Sequence, residues 1–284
     1  MSRHRPGRSR RGASAVLLCA ALLFLPTASD GDELTPVVSW LHTLSIHVRS
    51  HAIHDSLHTL LAETLHLPRT YEPVAYGEKK YVAVWAGNIA LEPCGPYPTD
   101  DYLSTDFEAM FYGLTFAFWE SALASADALD ERGIGHAEPT DVVRIEDEDL
   151  EAPNVYVGIG YGGDPEGVRE PRSELEAREG GPLGLVRVEE IRVGYSDERN
   201  LKKWTAFLQP HPRVGEQAFQ VAEGPVLRFV ENDVKQVLGI TLKVRSLERA
   251  AAFLREQGLL GEVASDSVEL DRARTHGLRI LLQE

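Results

Sequence analysis

The chain alternates apolar and polar positions in short stretches. In Leu41-His42-Thr43-Leu44-Ser45-Ile46-His47-Val48, Leu44, Ile46 and Val48 share one face, and Thr43, Ser45 and His47 share the other. That period of two marks a half-buried strand. AIHDSLHTLLAETLHL follows with Ile53, Leu57, Leu60, Leu61 and Leu65 on one stripe, the pattern of an amphipathic helix. YEPVAYG, KKYVAVWAG and NIALEPCG are then strand-like runs broken by Gly and Pro.

The same order recurs three more times. FYGLTFAF leads into ESALASADALDERGI, which Gly133 closes, and then into DVVRI and NVYVGIGY. VEEIRVGY leads through Ser196-Asp197, a helix start, into NLKKWTAFL, then QAFQVA and GPVLRFVE. VLGITLKV leads into SLERAAAFLREQGLL and ends with GLRILLQE. Between the second and third copies, DPEGVREPRSELEAREGGP is charged, rich in Gly and Pro, and without apolar periodicity. Residues 164–182 are therefore expected to be a charged linker between two domains, 36–163 and 183–284.

Four strand–helix–strand–strand–strand modules taken in pairs resemble the vicinal oxygen chelate superfamily, which includes glyoxalase I, extradiol dioxygenases and bleomycin- and fosfomycin-resistance proteins. VLGITLKVRSLERAAAFLREQGLL and FYGLTFAFWESALASADALDERGIGH carry the resemblance best. It implies an α+β fold of paired βαβββ modules. Each pair would curl its sheet into a cup with helices outside, and the second pair reads as degenerate. It also implies a divalent metal (Zn, Fe, Mn or Ni) held in a cup by His or Glu from the first and last strands.

Strand parity then decides which side chains reach the cup. With the apolar faces turned to the helices, the cup sides carry Thr43, Ser45 and His47 with Glu92, then Gly113, Thr115 and Ala117. In the second pair they carry Glu190, Arg192 and Gly194, then Gly239, Thr241 and Lys243. The positions that the resemblance assigns to ligands hold Thr43, Gly113, Glu190 and Gly239, none of them histidine. A slip of one residue substitutes His42, Tyr112, Glu189 and Leu238, and makes His42 with Glu92 the metal pair. A metal needs three or four ligands, so the chain departs from the metalloenzyme pattern. The expected site is a ligand-binding one: Thr43, His47, Trp85 and Glu92, with His47 and Glu92 as polar anchors and Trp85 as a wall. Tyr81 and Tyr97 are further candidates for an apolar lining. The function expected is binding of a small organic ligand in the first cup. The alternatives are a metal-dependent lyase, isomerase or dioxygenase acting on vicinal oxygens, and a non-catalytic interaction protein.

His54 and His58 are four apart and share a helix face with His51. His-x3-His can chelate zinc or nickel, but Asp55 stands where a HExxH glutamate would, and no third ligand is fixed. In the resembled fold this helix lies outside the cup, so the three imidazoles are expected along its solvated margin. The acidic run 141–151 reads as a solvated loop and not as a calcium loop, for want of its glycine. GIGYGG at 158–163 lacks the Lys-Ser/Thr of a phosphate loop. No Ser-His-Asp or Cys-His arrangement has local support in the sequence.

Composition narrows the partners. The chain of 284 residues is 43% hydrophobic and 26% charged, a globular balance. Its net charge of −15 argues against nucleic acid, which needs clustered Lys and Arg. Five arginines precede SAVLLCAALLFLP and TAS, the layout of a cleaved signal peptide over residues 1–29. The apolar run is too short to span a bilayer, which takes about 20 residues. An exported protein without a membrane span is expected, and Ser9-Arg10-Arg11 gives a weak twin-arginine match. Removing that segment takes the net charge from −15 to −20, since it holds five arginines and no acids. Cys94 is then the one cysteine left, expected as a small buried apolar residue. The second cup offers few polar candidates, so self-association as a homodimer is the remaining class of partner.

Overall fold

The computed structural model describes residues 34–97, 108–150, 154–158, 168–233 and 236–284. The expected signal peptide and most of the 158–163 glycine run lie outside them.

One local device starts all four modules: an alternating strand runs into a Ser or Asp that caps a helix. Strand β1 (Val38–Val48) is followed by Ser50, whose hydroxyl accepts from the Ile53 amide at 3.3 Å and opens α1 (His51–His58). A π-helical turn, Thr59–Thr64, extends α1. Strands β2 (Arg69–Tyr76), β3 (Lys79–Trp85) and β4 (Ala90–Gly95) complete the module. The second has β5 (Ala109–Phe118), the Ser121 cap, α2 (Ala122–Glu131), β6 (Val142–Arg144) and β7 (Asn154–Gly158). Helix α3 (Arg169–Ala177) comes next. The third has β8 (Leu185–Tyr195), the Asp197 cap, α4 (Glu198–Leu208), β9 (Arg213–Gly215), β10 (Ala218–Gln220) and β11 (Val226–Glu231). The fourth has β12 (Val237–Val244), the Ser246 cap, α5 (Leu247–Glu256), β13 (Leu260–Val263), β14 (Val268–Leu270) and β15 (Ile280–Gln283). Each cap satisfies an amide that the helix leaves free and stabilises it by about 1 kcal/mol.

In every module the first strand pairs in parallel with the last: β1 with β4, β5 with β7, β8 with β11, β12 with β15. The first strands of paired modules meet antiparallel at the centre, β1 with β5 and β8 with β12. The result is two mixed sheets, ordered β2-β3-β4-β1-β5-β7-β6 and β13-β14-β15-β12-β8-β11-β10-β9. This is the paired βαβββ architecture expected from the sequence. Leu44, Ile46 and Val48 are buried with Leu57, Leu60 and Leu61 of the first helical segment in one hydrophobic core that continues through both sheets.

The halves are locked together by polar contacts as well. Arg132, just past α2, donates to the carbonyls of Ala206 (2.9 Å) and Gln209 (3.2 Å), the orphan acceptors near the end of α4. Lys203 of α4 reaches the Asp147 carboxylate at 2.8 Å. Between β3 and β4, Gly87 has φ +95°, and a Cβ there would lie 2.4 Å from the Val186 carbonyl oxygen. Only glycine lets that turn press onto β8.

Two expectations are corrected. The segment 164–182 is not featureless, since α3 occupies Arg169–Ala177 and buries Pro171 and Leu175. Its apolar positions are too few to show helical periodicity against the charges around them, yet they pack against a surface the rest of the chain provides. His54 is also not at a solvated margin: it is 2% exposed, beside buried Leu57. Its Nδ1 lies 3.1 Å from the Asp55 carboxylate, which Lys80 of β3 holds at 3.0 Å.

Candidate functional site

Register brings the cup-facing residues of the first sheet together. Ser45 pairs with Glu92, and His47 with Cys94, across β1 and β4. Tyr81 of β3 stands opposite Cys94. Within this face Glu92 is the centre of a hydrogen-bonded chain: Tyr71 Oη donates to one carboxylate oxygen at 2.6 Å and Ser45 Oγ to the other at 3.1 Å. Two residues along β1, the His47 ring lies between two tyrosines. Tyr97 stacks on it at 3.7 Å with 7° between planes, and Tyr112 at 4.0 Å with 27°. Lys79 Nζ sits 4.0 Å from the centre of the Tyr97 ring.

Burial shifts both Glu92 and His47 towards their uncharged forms. It pushes the Glu92 carboxyl above the usual carboxylate range, and the hydrogen bonds from Tyr71 and Ser45 bring it part of the way back. Burial, helped by the Lys79 charge, lowers His47 to about 3. The imidazole is therefore uncharged at neutral pH. The Tyr71 phenol is pushed up by burial first and by the Glu92 charge second. Cys94 is buried, its thiol pushed up by burial, with Sγ 3.6 Å from the Ile46 carbonyl oxygen. His47 is 7% exposed, and its Nδ1 has no hydrogen-bond partner among the described residues.

Of the residues expected in the site, the structure joins Glu92 and His47 on one face and separates the others by role. Thr43 is 5% exposed, and its hydroxyl bonds His42 Nδ1 at 2.5 Å. Trp85 is fully buried, with the Arg172 guanidinium of α3 5.5 Å from its ring. It lies under α3 and is not an open wall. His42 sits where β1 is irregular between Leu41 and Thr43, with its ring edge-on to Trp40 at 5.0 Å. Residues that sequence reasoning missed are Tyr71 and Lys79, and Tyr112 entered it only through a one-residue slip of register. Ser45 was placed on the cup face without a role. The alternation of YEPVAYG put Tyr71 on a strand, but which strand would lie beside it is a long-range pairing that alternation does not carry.

Outside the cup, His276 bridges Glu108 (Nδ1 to Oε2, 2.6 Å) and Ser56 (Nε2 to Oγ, 2.8 Å). This chain has the connectivity of an acid–base–nucleophile relay. Ser56, however, is in the body of α1, where the helix takes up its amide, and is exposed. The contact ties α1 to the turn before β15.

No protein-family model matches the sequence, and no curated protein matches it. Solved structures do. An extradiol ring-cleaving dioxygenase from B. fuscum matches at TM-score 0.58 and 11% identity, over 88% of this chain and 72% of that one. Homoprotocatechuate 2,3-dioxygenase from Brevibacterium fuscum, in complex with 3,4-dihydroxyphenylacetate, matches at 0.56 and 12%, over 88% and 81%. The 2,3-dioxygenase LapB from Pseudomonas sp. KL28 matches at 0.56 and 13%, over 88% and 93%. The fold is thus of the vicinal oxygen chelate type, in the two-cup arrangement of extradiol dioxygenases.

The divalent metal that this fold implies does not fit the side chains present. Among the described residues no three His, Cys, Asp or Glu converge. Glu92 is level with Ser45, three residues along β1 from His42. The Glu92 oxygens are taken by Tyr71 and Ser45, and His42 Nδ1 is held by the Thr43 hydroxyl. In the second sheet Glu190 is bound by Arg192 at 2.9 Å and Arg228 at 2.5 Å, and Glu189 by Arg187 at 2.6 Å.

Proposed function

We propose that this protein binds an uncharged, hydroxyl-bearing small organic molecule in the first cup, against Glu92, Tyr71, Ser45 and His47. The observation that carries the reading is His47 Nδ1, buried and without a partner. A buried polar atom left unmade costs about 1–3 kcal/mol, so such atoms are normally met by water or ligand. A hydroxyl can donate or accept, and so satisfies Nδ1 in either tautomer of the neutral ring. The His47 ring is uncharged at neutral pH, so it offers the ligand a hydrogen bond and not a full charge. Export through the amino-terminal signal is part of the same proposal, and sequencing the amino terminus of mature protein tests it.

The experiment is a thermal-shift screen of neutral alcohols and phenols against wild type, Glu92→Gln with Tyr71→Phe, and His47→Ala. A compound that raises the wild-type melting temperature and neither variant's supports the site. Compounds that stabilise all three equally place binding elsewhere.

A metal-dependent dioxygenase, lyase or isomerase is the second reading, favoured by the fold of the neighbouring structures. It requires ligands beyond those the described residues supply. Elemental analysis after supplementation with Zn, Fe, Mn or Ni tests it: stoichiometric metal lost in Glu92→Gln favours the enzyme reading, and substoichiometric metal rejects it.

A further inference from the structure

Arg172 of α3 lines three adjoining cavities between the two sheets. The largest is about 420 Å³ and a second about 380 Å³, each within the range of small-molecule sites. Arg172 Nε is buried and has no hydrogen-bond partner among the described residues, although the chain carries 44 acids against 29 bases. The guanidinium carbon lies 5.5 Å from the centre of the Trp85 ring, within reach of a cation–π contact. The other charges of the 420 Å³ cavity do not fill that role. Arg187 and Glu189 pair with each other at 2.6 Å. Glu176 and Glu223 are exposed at the rim, where water screens them. The Asn88 amide nitrogen is spent on the carbonyls of Val188 (3.0 Å) and Glu223 (3.2 Å). The 380 Å³ cavity is the apolar one, and Trp40, Val168 and Ala222 contribute to its wall beside Arg172.

We propose that this groove, separate from the cup, binds a small organic carboxylate, with the carboxylate on Arg172 and a ring or short hydrocarbon body against Trp40 and Val168. A guanidinium edge matches the two oxygens of a carboxylate, and an acceptor is what an unpartnered Nε lacks. The apolar wall beside it accounts for a hydrocarbon body in place of a bare inorganic anion. The cup of the preceding section plays no part in this inference.

Benzoate is the probe, with benzamide as its neutral counterpart, titrated into the full protein near pH 7 by calorimetry or ligand-observed NMR. Saturable benzoate binding is expected, tighter than benzamide by about tenfold, which is 1.4 kcal/mol. Arg172→Met abolishes that preference. Arg172→Lys, which keeps the charge and loses the Nε donor, weakens benzoate by about fivefold or more. Glu92→Gln leaves it within about twofold, which separates this groove from the cup. Absent saturation at millimolar benzoate, an affinity equal to that of benzamide, or undiminished binding in folded Arg172→Lys overturns the proposal.

Discussion

Asn88 and Val188, one hundred residues apart, are paired like two strands of a sheet. The Asn88 side-chain amide donates to the Val188 carbonyl and accepts from the Val188 amide, at 3.0 Å each way. A single buried side chain thereby satisfies both backbone groups of a residue in β8 and fastens the first sheet to the second.

Asn88→Ala would leave the Val188 N–H and C=O buried without partners. The expected cost is about 2–4 kcal/mol, from the penalty of an unmet buried group together with the bonds lost. Chemical denaturation measures it. A loss under about 0.5 kcal/mol would mean that water enters the interface and replaces the amide.

His47 gives the protein a defined acid sensitivity. Its folded pKa, about 3, lies below the unfolded value of 6.5. Its contribution is therefore complete above pH 6.5 and is lost as pH falls from 6.5 towards 3, at up to about 1.4 kcal/mol per pH unit. Carboxylates titrate in the lower part of that window too, so the informative quantity is a difference. Urea midpoints of wild type should fall more steeply than those of His47→Gln between pH 6.5 and 4. Parallel curves would show that the ring ionises freely in the folded state.

How legible was all this in the sequence? Alternation in LHTLSIHV, FYGLTFAF, VEEIRVGY and VLGITLKV found the four central strands, because one face of each meets helices and a period of two is local information. The α3 segment was missed because its burial depends on contacts with β3 that no window of 19 residues contains. His54 was misplaced for a related reason. Ile53 looked like the inward residue of the first turn, but α1 rotates so that position 54 follows the buried face with Leu57 and Leu61, and Lys80 and Asp55 accommodate the imidazole. Parity placed Glu92 and His47 on one face of the first sheet, and the register puts them there. The bond between Thr43 and His42 was not legible, since it sits at an irregularity in β1, and a bulge leaves no mark on the hydrophobic pattern. The Arg172 groove was invisible because its parts come from α3, the β3–β4 turn and β8.

The histidines of α1 therefore should not behave alike. His51 is exposed, and among the described residues its ring makes no hydrogen bond or ring contact. His51→Gln should change stability by less than about 0.5 kcal/mol. His58 is half-buried and accepts from Arg69 Nε at 3.0 Å, an exchange that glutamine can imitate. His54→Gln should cost about 1–3 kcal/mol, and Leu57→Ala or Leu61→Ala about 2–5 kcal/mol. Thermal or urea unfolding of the single variants tests the helix phase. Equal, small losses for His51 and His54 would place His54 at the surface and refute the packing described for α1.

Glu92 makes the opposite prediction to His47, because burial shifts its carboxyl towards the protonated form. Its folded pKa is raised above 4.5 by burial. The favourable contribution of the protonated carboxyl is thus present below 4.5 and is lost as pH rises through the folded value. Glu92→Gln keeps an oxygen to accept from one hydroxyl, Tyr71 or Ser45, and an amide to donate to the other. It also never ionises. The variant should match wild type near pH 4 and gain on it as pH rises, until wild-type Glu92 is fully ionised. Glu92→Ala should instead lose about 1–3 kcal/mol across the range, because two hydroxyls lose their common acceptor. The pH dependence of the Gln-minus-wild-type difference is the decisive quantity. A difference that shrinks with rising pH would mean that the carboxylate is the stabilised form. The cup would then be built to present an anion, and the search for its ligand would turn to cations.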